Sequence, residues 1–124
     1  MKKCIVYIIA LLLFSISSVA FASDAVRFEA GAVYNNFGTL VIVGNFVNDS
    51  SGSVKIKSTH LYLTINGRTL ESNFAQLEDC NIVLKEGRRT SFSFKIFNSG
   101  FGTDRINSWR VFSEVDYYTL GGEE

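Results

Sequence analysis

Proline is absent from all 124 residues, histidine and tryptophan occur once each, and cysteine occurs twice. Each shortage excludes something. Without proline, no strand edge is guarded by a residue that cannot join a ladder, so the edges rely on charges such as Lys55, Lys57 and Arg110, or stand open to a partner. One histidine, His60, and so few cysteines supply little for a metal site, which needs clustered His, Cys or carboxylate ligands. Carboxylates pair only as Glu78-Asp79, Glu114-x-Asp116 and Glu123-Glu124. The sequence has no Gly-x-Ser-x-Gly elbow to present a nucleophile and no glycine-rich loop to cradle a phosphate. These shortages together predict a protein that is not an enzyme and needs no cofactor and no metal.

The N-terminus carries Lys2-Lys3, an apolar run from Ile5 to Phe14 and small residues up to Ala20-Phe21-Ala22, the three parts of a secretory signal peptide. Cleavage is placed after Ala22, with Ala20 as the alternative. The apolar run is shorter than the roughly 20 residues of a spanning helix, so no membrane span is expected after cleavage. Residues 1–22 are read as the leader and residues 23–124 as one domain, exported to the periplasm or secreted. Lys2 and Lys3 depart with the leader, and ten basic residues then face twelve acidic ones, which disfavours a nucleic-acid partner. Cys4 departs too. Cys80 is then a buried small hydrophobe, a free nucleophile or half of an intermolecular bridge.

Turn signals recur about every ten residues along the mature chain. Val26, Phe28 and Ala30 alternate with polar residues before a turn at Asn35-Asn36-Phe37-Gly38. Thr39 to Val47 is apolar on both sides in its first half, and Gly44 within it predicts a bulge or a close backbone approach. The polar loop Asn48-Asp49-Ser50-Ser51-Gly52-Ser53 contains a formal glycosylation sequon, read here as loop chemistry. From Val54 to Ile65 the apolar phase switches from even positions (Val54, Ile56) to odd ones (Leu61, Leu63, Ile65). A bulge, a bend or a change of sheet near Ser58-Thr59-His60 is needed to repair it, and the strand is expected to belong partly to each sheet. Asn66-Gly67 predicts a type I′ hairpin turn. Thr90 to Phe97 alternates Phe92, Phe94 and Ile96 against Ser91, Ser93 and Lys95, and the last strand runs from Ile106 to Leu120. Together these predict an all-β, immunoglobulin-like antiparallel sandwich of about seven strands, with nine phenylalanines to fill it.

The succession Val-Ile-Val-Gly-Asn-Phe-Val-Asn (41–48), Leu61-Tyr62, Leu84-Lys-Glu-Gly87 and Phe92-Ser-Phe94 resembles the small bacterial immunoglobulin-like domains of the FxLYD type over about Leu40 to Tyr118. Thr59 and Leu63 stand where that family's name has Phe and Asp. The resemblance implies a non-enzymatic extracytoplasmic accessory module with no catalytic residues. Two surfaces are expected to contact a protein partner in the envelope or outside the cell. One is the basic turn Lys85, Arg88 and Arg89. The other is the aromatic loop with Phe97, which breaks the inward alternation, and Phe101, which lies between glycines. Self-association through an open edge is the alternative.

Overall fold

The computed structural model describes residues 10–11 and 25–120. Apart from Ala10–Leu11, the expected leader lies outside the described residues. Among the described residues there are eight strands: β1 (Ala10–Leu11), β2 (Val26–Asn36), β3 (Thr39–Asn48), β4 (Val54–Ile65), β5 (Arg68–Phe74), β6 (Val83–Leu84), β7 (Arg89–Ile96) and β8 (Trp109–Thr119). A short 3-10 turn, Leu77–Cys80, joins β5 to β6. All pairings are antiparallel and form two sheets. One has the order β2-β3-β7. The other is built on β4, with β8 along one side and β5 and β6 end to end along the other; β1 borders β5 through Ala10 opposite Ser72 and Leu11 opposite Glu71.

The inward phase of each strand explains the core. Val26, Phe28, Val33, Leu40, Ile42, Phe46, Phe94 and Ile96 of the first sheet face Val54, Ile56, Leu61, Leu63, Ile65 and Phe74 of the second, all buried in one cluster. Phe94 packs against Phe28 (4.8 Å between ring centroids), Phe46 (5.9 Å) and Phe92 (4.9 Å) within its sheet, and against Phe74 (4.3 Å) across the sandwich. The rings at Phe28, Phe46 and Phe92 meet Phe94 edge-on, the arrangement the ring quadrupole favours.

The phase switch in β4 is absorbed by a bulge. Ile56 pairs with Tyr117 and Ser58 with Asp116, so Lys57 is the extra residue, and inward facing resumes at Thr59. β4 pairs with β8 on both sides of the bulge, so the strand stays within one sheet and is not shared between two. This also places Lys55 and Lys57 on a central strand, so they guard no edge; Arg110, on β8, does stand on one.

Both hairpin turns expected from sequence are present. Phe37 and Gly38 have φ of 50° and 93°, and Asn66 and Gly67 have 51° and 82°, as a type I′ turn requires. Asn48 is fully buried in the core. Its Nδ2 donates to the carbonyls of Gly52 (2.8 Å) and Leu84 (3.0 Å), and its Oδ1 accepts from the Ser50 amide (2.9 Å), so the sequon asparagine ties two loops together from inside. Cys80 is half-buried against the core and is not a free thiol.

The β2–β3 register shifts between Ala30 and Ala32, opposite Gly44. A Cβ on Gly44 would lie 2.1 Å from the Glu29 carbonyl oxygen and 2.8 Å from Ala30 Cα, both backbone atoms that cannot rotate away. Gly44→Ala is therefore expected to destabilise the domain by roughly 1–3 kcal/mol or more. Gly52→Ala, with nothing within 4 Å of the added carbon, is expected to stay within about 0.5 kcal/mol of wild type. Urea unfolding of the two variants side by side measures the difference.

Candidate functional site

The outward phase of β4 after its bulge carries His60, Tyr62 and Thr64, and cross-strand register sets what stands beside them. Tyr62 lies opposite Glu71 on β5 and Phe112 on β8, and His60 lies opposite Asn73 and Glu114. His60 Nε2 is 2.7 Å from Glu71 Oε1, and its ring stacks on Tyr62 with 4.5 Å between centroids. The Tyr62 hydroxyl donates to Glu114 Oε1 at 2.9 Å. Further along the face, Lys57 Nζ approaches Asp116 Oδ2 at 3.8 Å and lies over the Tyr118 ring, whose hydroxyl donates to Glu78.

The carboxylates of Glu71, Glu114 and Glu78 thus each take a hydrogen-bond partner within this face, and Phe112, 56% exposed, stands at its β8 margin. Glu114 and Asp116, which share this face, each take a different partner and do not converge. Among the described residues no three His, Cys, Asp or Glu side chains come together as a metal site would require. The arrangement is an internally hydrogen-bonded surface with an exposed aromatic at its margin.

The residues singled out from sequence divide. Phe97, just past β7, is 54% exposed, as its break in alternation implied. Phe101 is a correction: it is 2% exposed and belongs to the core, with the Arg68 guanidinium 4.2 Å above its ring, so it is no contact surface. Glycines on both sides let the loop turn back and deliver that ring inward. Lys85, Arg88 and Arg89 are exposed. They sit at the other end of β7 from Phe97, about 23 Å away by strand rise, so the two predicted surfaces are separate.

The basic end is also electrically balanced. Arg27 pairs with Asp49 (2.9 Å) and Glu29 (2.7 Å), and its pKa is raised chiefly by the hydrogen bond to Asp49. Arg89 approaches Glu29 at 3.9 Å. Sequence reading missed the face around Tyr62 and Phe112. The only local signal was the outward phase of β4, whereas the juxtaposition of residues 71, 62 and 112 is a product of register.

No family model, curated protein or solved structure matches the chain. Among the described residues no helix is long and apolar enough to cross a membrane.

Burial, reinforced by the bond to Glu114, pushes the Tyr62 hydroxyl up to about 12 from its ordinary value near 10. The folded state then holds a proton that the unfolded state releases. The stabilisation this proton provides is complete below about pH 10 and is lost as pH rises through about 12. The tyrosinate absorbance that Tyr62→Phe removes should therefore appear near pH 12 in the native protein, and earlier in Glu114→Gln. A Tyr62 signal near pH 10 in wild type contradicts the hydrogen-bonded geometry.

Proposed function

We propose that the chain is the precursor of an exported, non-enzymatic immunoglobulin-like module, residues 23–124, that binds another protein of the envelope or the cell exterior. The connectivity supports the fold reading. Two antiparallel sheets, one ordered β2-β3-β7 and the other with β4 between β5 and β8, support the sandwich part of that reading.

The observation that carries the binding reading is Phe112. A large aromatic stands exposed directly across from Tyr62, in a face where His60, Glu71, Tyr62 and Glu114 already satisfy one another. An exposed aromatic within a hydrogen-bonded polar surround is the composition of an interface hot spot. Phe112→Ser is expected to retain the wild-type unfolding transition and to lose at least tenfold in affinity for a protein captured from envelope extract. Capture unaffected by Phe112→Ser rejects this face as the binding surface.

A further inference from the structure

Three loops converge at the end of the sandwich opposite the basic turn. The Ser99 amide and hydroxyl both donate to the Gly38 carbonyl, at 3.0 and 2.8 Å. Asn35 accepts from the Gly38 amide (3.0 Å) and donates to the carbonyls of Gly102 (3.2 Å) and Asp104 (2.8 Å). Asn66 does the same for the far side of the 97–108 loop, donating to the Arg105 carbonyl (2.8 Å) and accepting from the amide of Asn107 (2.7 Å). The β2–β3 turn, the β4–β5 turn and the long loop are therefore one stitched tip.

This tip exposes aromatic rings. Phe37 is 84% exposed although its φ of +50° is a conformation that a bulky residue adopts at a steric cost, and its ring returns almost no burial in exchange. Tyr34, Phe97 and the chain's single tryptophan, Trp109, are exposed around it. The charges are of one sign. Across residues 34–39, 65–69 and 95–110 stand Arg68, Lys95, Arg105 and Arg110, all exposed, against Asp104 alone.

We infer that this tip docks on the surface of a bilayer bearing anionic headgroups, with Phe37 and Phe97 entering the interface and the four cations above them. Phenylalanine, tyrosine and tryptophan with flanking Lys and Arg are the residues that favour that zone. Each cation near an anionic surface adds to the attraction. The internal hydrogen bonds matter as much: the loop carbonyls and amides bonded to Asn35, Asn66 and Ser99 have partners within the tip, so a medium poor in water leaves these groups satisfied. The inference is independent of the protein-binding face at Tyr62 and Phe112, which lies on the flank of the sandwich.

Trp109 makes the test local. The protein in the form the cell exports is mixed with phosphatidylglycerol vesicles, with phosphatidylcholine vesicles and with brominated lipid. Expected are a blue shift of Trp109 emission and quenching by the brominated chains with the anionic vesicles, and little of either with the zwitterionic ones. Binding through any leader segment would leave Trp109 in water. Phe37→Asn relieves the turn, because asparagine tolerates positive φ, so this variant is expected to be as stable as wild type or more so while losing most of the shift. Lys95→Glu/Arg105→Glu is expected to weaken vesicle binding by roughly tenfold or more, while Lys85→Glu/Arg88→Glu at the far end changes it little. The inference is overturned by Trp109 emission that is unchanged at lipid excess, by a shift that persists in Phe37→Asn, or by a Trp109 shift produced only by a lipid-free protein fraction.

Discussion

Phe94 touches Phe28, Phe46 and Phe92 in its own sheet and Phe74 in the opposite one, and the two layers are held in register with each other through that ring. Its neighbours on β7, Ser93 and Lys95, must face outward as a consequence, and Phe97 beyond them is left outside the core. The β3 residues opposite Phe94 and Ile96 are Ile42 and Leu40, both fully buried, so the contact spreads through the strand pairings into a continuous apolar layer. Removing a buried Phe of this kind typically costs about 3–5 kcal/mol, a large part of a small domain's stability. A cluster of interlocked aromatics with defined edge-on geometry also specifies one packing among the many that an apolar interior allows.

Two bulges then decide what the exterior displays. At Ala30/Ala32 the extra residue in β2 keeps both Phe28 and Val33 inside, and the strands are drawn so close at Gly44 that only a hydrogen fits. At Lys57 the bulge in β4 moves the inward phase from Ile56 to Thr59, which turns His60 and Tyr62 outward beside Glu71, Phe112 and Glu114. Had β4 lacked it, a strict period of two would have buried His60 and exposed Leu61. The outward placement of His60 and Tyr62 therefore follows from a one-residue insertion that keeps the core intact.

The surface separates into zones of different character. The flank around Tyr62 is polar and internally hydrogen-bonded, the end at Lys85 to Arg89 sets Arg27 against Asp49 and Glu29 and Arg89 against Glu29, and the opposite tip combines exposed rings with an excess of Arg and Lys. The eight basic side chains named for the two ends are alike in sequence and differ in their company. Only at the tip does the fold bring four of them together with a single carboxylate.

Local patterns were enough for the all-β character, the Asn66-Gly67 turn, the close approach at Gly44, the outward Phe97 and the need for a bulge in β4, because each depends on φ preferences or on a period of two within a few residues. That Phe101 turns inward was not legible: its flanking glycines permit either direction, and the guanidinium over its ring comes from Arg68 on another strand. The same holds for the pairing of Tyr62 with Glu114 and for the stitching of Asn35 and Asn66 to a loop some forty to seventy residues away. These are relations of register and loop placement. They are set when strands distant along the chain pair and the sheets close over Phe94, and a one-dimensional pattern carries no record of them.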